Sequence, residues 1–382
     1  MKKILVTGAS GFVGHSLCKR LLDGGFSVRG TLLETESPTV LIAGVEPVVI
    51  EQLDPNTPWQ HALLDIDTVI HLAARVHIMD DPSADPLTEF RKVNVDGTAQ
   101  LALEAAKAGV KRLVYISSIK VNGEETVTPY THDSPANPSD PYGISKYEAE
   151  QVLRKIEAET ELKVVVVRPT LVYGPGVKAN FLNMMKCLKG NLKGNFGFWI
   201  LNFGLKILPL PLASIENTRS LVYVGNLVDA LAVCATHPAA AGKTYLVSDG
   251  EDVSTPELLR RVAFALGARC WLLPFPVSWM KCCARILDNF GLLKSNFGFL
   301  KSNFRFWILD FGLFKSKAGK PIQNSTSKIH NPRFTGAVNR LTGSLVVDSS
   351  KIRQELGWVP PFTMEEGLRE TGRWFKDNKK QF

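Results

Sequence analysis

No stretch of the 382 residues reaches the 18 or so uncharged apolar residues that span a bilayer, because Lys206, Lys294, Lys301 and Arg305 interrupt the most apolar segments. A spanning helix is therefore not expected. The opening "MKKILVTG" has two lysines, but its apolar run ends after three residues, far short of a secretory signal. A cytoplasmic location is the expectation. The six cysteines (Cys18, Cys187, Cys234, Cys270, Cys282 and Cys283) include no CxxC pair and no His-rich metal spacing. A chain of this size needs no disulfide staples, so they read as reduced thiols with no metal. Acidic residues are scarce in one place: Lys189–Lys206 and Asn289–Thr335 together hold eleven Lys or Arg against Asp310 alone, a net of +10 in a chain of +8. The rest of the chain is thus at −2, and the positive charge that would suggest an acidic partner is confined to those segments.

The same segments contain a phrase used twice. "NFGFWILNFGLK" (195–206) returns 108 residues later as "NFRFWILDFGLF" (303–314) with nine of twelve positions identical, and "NFGLLKSNFGFLKSNF" (289–304) echoes both. A structural repeat recurs at a fixed period and stacks on its neighbour, but these copies have unrelated flanks. They read as repetitive insertions, within 191–206 and 289–335, in loops that tolerate length. Aromatic and basic residues interleaved in this way also suit weak membrane-surface association, and a peripheral membrane or scaffold protein is the alternative of another class. Nucleic acid is not an expected partner, because the rest of the chain supplies no basic surface.

Chemistry begins at the N-terminus. "KKILVTGASGFVGHSLCKRLLDGGFSV" reads as a buried strand, Lys3 to Thr7, a glycine loop, and an amphipathic helix from about Phe12 to Asp23. Gly8, Gly11 and Gly14 let the backbone approach a pyrophosphate at a helix N-terminus, where amides and dipole favour negative charge. Further strands are expected near Ser27–Leu32, Val48–Glu51, Thr68–Leu72, Arg112–Ser117 and Lys163–Arg168, with helices at Phe90–Ala108 and Pro141–Thr160. Alternating strand and helix predict an α/β doubly wound parallel sheet, with ligands beyond the carboxyl ends of its strands.

In "DPYGISKYEAEQ", Asp140 can cap a helix with Pro141 at its first position, so Tyr142 and Lys146 share one face. A cation beside a phenol favours the phenolate, which would let Tyr142 exchange protons near neutral pH. The stretch "RLVYISSIKVNG" ends a strand in Ser117 and Ser118, at the same sheet edge as the glycine loop.

Together these residues resemble the extended short-chain dehydrogenase/reductase family, also known as the NAD-dependent epimerase/dehydratase family. The resemblance rests on "TGASGFVG", "DTVIHLAA", "NVDGT", Ser118 followed 24 positions later by "YGISK", "RPTLVYGPG" and "RSLVYVGNLVDAL". It implies a Rossmann domain over 1–175, rejoined by about 215–248, and a smaller C-terminal α/β substrate domain from 176–214 and 249–382. It implies Tyr142 as acid/base, Ser118 on the reacting oxygen, Lys146 on the nicotinamide ribose, and Asn94 supporting their helix. The cofactor would lie against Gly8, Ser10, Gly11, Phe12, Val13, Gly14, Gln52, Leu72, Ala73 and Ala74. A nucleoside-diphosphate sugar, most often a UDP-sugar, would be held by Ser118, Asn180 and Arg219; a homodimer is left open.

Departures from the pattern narrow the reaction. Dehydratases of the family carry an Asp-Glu pair directly after the active-site hydroxyl, where this chain has Ile119 and Lys120, so water elimination is not expected. Epimerases typically show Asn where this chain has Leu171. "SSIKVNGE", "YGPGVKANF" and "LTGSLVVDSSKIRQELGW" resemble most a branch associated with UDP-N-acetylquinovosamine synthesis in surface-polysaccharide biosynthesis. The favoured expectation is reduction of a UDP-4-keto-6-deoxy-N-acetylhexosamine; the alternative is a UDP-glucose or UDP-N-acetylglucosamine 4-epimerase. The second strand leaves NAD or NADP open, because Arg29 and Glu34 both read as solvated surface charges.

Overall fold

The computed structural model describes residues 2–76, 85–189, 209–290 and 333–378. Its centre is a seven-stranded parallel sheet in the order Thr244–Val247, Lys163–Pro169, Arg112–Ile116, Thr68–His71, Lys3–Thr7, Ser27–Leu33, Glu46–Ile50. Six of these strands match the sequence expectation. The seventh, Thr244–Val247, comes from the 215–248 stretch and pairs with Lys163–Pro169.

Side-chain alternation divides this sheet between two cores. Ile4 and Val6 pack with Val114, Val165 and Val167 on one face, while Leu5 packs with Leu113, Tyr115, Val164 and Val166 on the other. Helices Phe12–Asp23 and Val224–Thr236 cover the first face; Gly97–Lys107 and Pro141–Glu159 cover the second. Both faces being covered explains why these strands are continuous apolar runs rather than alternating ones. Each fully buried Val or Leu contributes about 1.5–3 kcal/mol. Chain order reverses at Lys3–Thr7, whose neighbours are the second and fourth strands, so the glycine loop leaves the sheet beside a topological switch point.

The C-terminal part builds a small mixed sheet from Leu171–Tyr173, Arg219–Tyr223 and Asp252–Val253. Asp249 joins it to its surroundings, accepting from Tyr173 Oη at 2.9 Å, Tyr223 N at 2.8 Å and Asn226 Nδ2 at 2.7 Å. The last helix, Met364–Asp377, starts in a capping box between Thr363 and Glu366.

The repeat segment 191–206 lies outside the described residues. So does 291–332, the greater part of the expected 289–335 segment, whose two ends are helical. Asn289 and Phe290 end the helix Val277–Phe290, and Arg333–Thr335 begin the helix Arg333–Thr342. The Asp288 carboxylate accepts from Phe334 N and Thr335 N, both at 2.9 Å, and so caps the second helix from the end of the first. Among the described residues, no helix is long and apolar enough to cross a membrane.

Candidate active site

Thr7 closes the first strand and organises the loop that follows. Its hydroxyl oxygen accepts from Leu72 N and Ala73 N, both at 3.2 Å, tying the glycine loop to the "HLAA" segment with Ala74 next in line. Gly8 turns the chain at φ +69°, and a Cβ there would stand 3.0 Å from Ala73 N. A Cβ on Gly14 would come within 2.1 Å of Gly8 O, so the first helix lies against the loop only because position 14 is glycine. Gly11 N bonds Gly8 O at 3.0 Å, and Phe12 and Val13 begin the helix without a side-chain cap at Gly11. Uncapped amides at a switch point, approached through glycines, fit the pyrophosphate of a dinucleotide.

The sequence reading missed the acid on this loop. Glu36, beyond the second strand, accepts from Ser10 Oγ at 2.6 Å and from Leu33 N at 2.9 Å. Its only sequence signal is its position about 20 residues past the glycine motif, a spacing it shares with Glu34, which is exposed. Arg29 is not a solvated charge: it is 6% exposed, bonds Glu46 at 2.7 Å and donates to the carbonyls of His61, Ala62 and Leu64. Gln52 donates to Asp54 at 2.6 Å in the loop after the third strand.

The second half of the site is the helix Pro141–Glu159. Asp140 caps it, accepting from Gly143 N at 2.7 Å, with Pro141 at the first position as expected. Lys146 is 2% exposed; its Nζ donates to Ile116 O at 2.8 Å, lies 4.6 Å from the Tyr115 ring centre and 5.9 Å from that of Tyr142. Asn94 supports this helix, donating to Ser145 Oγ at 3.0 Å while exchanging two bonds with the Arg75 backbone. Ser118 follows the Arg112–Ile116 strand, and its Oγ accepts from Lys120 N at 3.2 Å, leaving the hydroxyl proton to be donated elsewhere.

Electrostatics depart from the sequence expectation. Burial pushes the Tyr142 phenol well up, and the neighbouring Asp140 carboxylate adds to the shift. Burial also brings the Lys146 ammonium down to about 7, partly opposed by Glu150. Spacing alone suggests a lowered tyrosine; burial desolvates both groups, and that outweighs the attraction a cation offers a phenolate. His71, locked between Thr7 at 2.6 Å and Thr98 at 3.0 Å, falls to about 3 by burial and stays neutral.

Toward the C-terminal part, Asn180 is the second residue of the helix Ala179–Leu188, whose first residue takes φ +52°. Arg219 begins a strand, donating from Nε to Gly343 O at 3.1 Å and from Nη2 to Arg340 O. Leu171 is half exposed on the edge of the small sheet. Among the described residues no cluster of His, Cys, Asp and Glu is arranged to hold a metal ion.

Residues 4–248 match the model of the NAD dependent epimerase/dehydratase family. A UDP-glucose 4-epimerase of Vibrio cholerae is 38% identical over 98% of this chain and 95% of its own. An N-acetyl-alpha-D-glucosaminyl-diphospho-ditrans,octacis-undecaprenol 4-epimerase of Escherichia coli O157:H7 is 29% identical over 96% and 93%. Among solved structures, the UDP-glucose 4-epimerase of Thermotoga maritima with UDP-glucose superposes with a TM-score of 0.66 at 21% identity, covering 99% of each chain, which shows the shared fold.

Proposed function

The chain belongs to the NAD dependent epimerase/dehydratase family, and from that premise we propose that it is a nucleotide-sugar 4-epimerase acting on a UDP-hexose or UDP-N-acetylhexosamine. The observation that carries this reading is the 38% identity, sustained over nearly the whole of both chains, to a UDP-glucose 4-epimerase. It favours the epimerase over the 4-keto-sugar reductase preferred from sequence phrases. Leu171 in place of the epimerase asparagine carries less weight, because it is one half-exposed position at a sheet edge.

Bound NAD supplies a hydride acceptor that can return what it takes. The protein's part is proton and position. Tyr142 removes the proton from the sugar 4-hydroxyl as the C4–H hydride leaves, and returns it when the resulting 4-keto group is reduced from its opposite face. Ser118, with its oxygen already accepting from Lys120 N, donates to the 4-oxygen. Lys146 would hold the nicotinamide ribose, and as a cation it would favour the phenolate. Asn180 and Arg219 face the sugar nucleotide, the arginine offering its cation to the diphosphate. Elimination of water has no second acid/base here. Ile119 is buried against Leu246, Leu345 and Val347, and Lys120 is committed to two carboxylates.

The test is direct. Protein with NAD is incubated separately with UDP-glucose and UDP-N-acetylglucosamine, and with a UDP-4-keto-6-deoxy-N-acetylhexosamine plus NADH. Interconversion of C4 epimers without net NADH formation supports the epimerase. Stoichiometric NADH consumption by the keto sugar alone would replace it with the reductase.

A further inference from the structure

The turn that carries Ser118 is fixed at three points. At its start, Ser117 Oγ donates to the Glu150 carboxylate, which lies one helical turn past Lys146 and also binds Arg168 Nε at 2.9 Å and Nη2 at 2.5 Å. At its end, Asn122 Oδ1 accepts from Arg168 Nη1 at 3.0 Å. Between them, Lys120 Nζ donates to the Asp140 carboxylate and to Glu124 Oε1 at 2.9 Å. The outer two attachments use buried groups and are part of the fold. The middle one is different: its lysine is 28% exposed, and its partner is the cap of the helix bearing Tyr142, two residues before it.

We propose that Lys120 is a positioning residue for the proposed acid/base: it clamps the Ser118 turn onto the start of the Tyr142 helix and neutralises the Asp140 charge beside the phenol. This rests on the reading of Tyr142 as acid/base, not on which sugar is used. A helix cap must present an acceptor to the first-turn amides, and an aspartate does so at the cost of a negative charge next to a group that must itself become negative. Lys120 cancels that charge while leaving the cap in place, since Asp140 Oδ1 holds Gly143 N and Oδ2 meets the ammonium. The position where relatives with a second acid/base pair carry an acid thus holds a cation that serves the first.

Other charged and titratable groups face this region from each neighbouring element. Lys146 and Glu150 lie on the same helix; Glu124 follows the Ser118 turn; Tyr115 and His71 come from the central strands. The Phe90 ring meets Tyr142 edge-on beneath Arg75, with the Arg91–Glu148 pair beside it, and Arg340 approaches Asp140 and Glu124 from the Arg333–Thr342 helix. None of these changes in the variants below, so differences among them report Lys120 and Asp140.

The readout is tyrosinate absorbance of NAD-loaded protein between pH 6 and pH 11, taken as the difference from Tyr142→Phe, in wild type, Lys120→Met, Lys120→Arg and Asp140→Asn. Lys120→Met is expected to move the Tyr142 midpoint up by about half to one pH unit, leaving roughly 3–10-fold less phenolate at a fixed pH. Lys120→Arg should restore it. Asp140→Asn, which keeps a capping side chain, should move it down even if Lys120→Met folds poorly. Equal midpoints in wild type, Lys120→Met and Asp140→Asn would overturn the clamp while leaving Tyr142 as the base. Ordered midpoints without turnover of any UDP-sugar would support the clamp and sink the epimerase. No Tyr142 step in any form would overturn both.

Discussion

Glu36 reaches across the mouth of the glycine loop to accept the Ser10 hydroxyl at 2.6 Å, so a carboxylate stands where the second strand ends and the dinucleotide would begin. An acid there can accept the ribose hydroxyls of NAD and repels a 2′-phosphate. Glu36→Ala should weaken NAD by about one order of magnitude and narrow the preference over NADP, read by titrating both nucleotides against the same protein. Unchanged discrimination would assign the preference elsewhere.

Tyr142→Phe should retain NAD binding and lose two to four orders of magnitude in turnover, the usual worth of a positioned acid/base, at about 10²–10⁴-fold. The residue is half-buried and phenylalanine keeps its ring, so the substitution should leave the fold intact. Turnover near that of the wild type would remove Tyr142 from the mechanism.

Lys146 makes stability depend on pH with a definite sign. Its folded value, about 7, lies below the ordinary lysine value of 10.5, so between these the unfolded chain binds one more proton. Stability of the NAD-free protein from this group therefore rises with pH across that window and is flat below it. Relative to Lys146→Met, the wild type should gain about 1.4 kcal/mol per pH unit, the slope of one proton, in denaturant titrations from pH 7 upward. Parallel pH profiles would show that Lys146 is not desolvated as described.

The parts of this site legible in the sequence were local. The glycine loop lies within eight residues, and the Asp140, Pro141, Tyr142, Lys146 pattern within seven, so spacing placed each on its element. Glu36 was not legible, because a loop after a strand has no period to say which of two acids turns back on Ser10. Arg29 looked solvated because its partners, Glu46 and three carbonyls from 61 to 64, are brought together only by the sheet and the following helix. The direction of the Tyr142 shift is not legible in spacing, which reports a neighbouring charge but not burial, and burial raises this phenol.

The residues that flank 291–332 meet at one place, since Asp288 caps the helix that starts at Arg333. A deletion should therefore keep Phe290 and Arg333 rather than run from Asn289 to Thr335. Removing 191–206 and 291–332 together should raise solubility and leave NAD affinity within about threefold, because long loops add only about 0.6 kcal/mol per doubling. Asp288→Ala should cost about 1 kcal/mol in the same background, the usual worth of a cap. Loss of NAD binding on deletion would make the repeats integral to the fold.

In the proposed reaction a hydride leaves C4 of a UDP-sugar and returns to the same carbon. Proton NMR of UDP-N-acetylglucosamine or UDP-glucose in D2O, with the protein and less than one equivalent of NAD, tests it most directly. The expected result is an equilibrium mixture of C4 epimers, with protium retained at C4 and NADH held at a trace. Deuterium at C4, or no epimer with either sugar while a 4-keto sugar consumes NADH mole for mole, would contradict it.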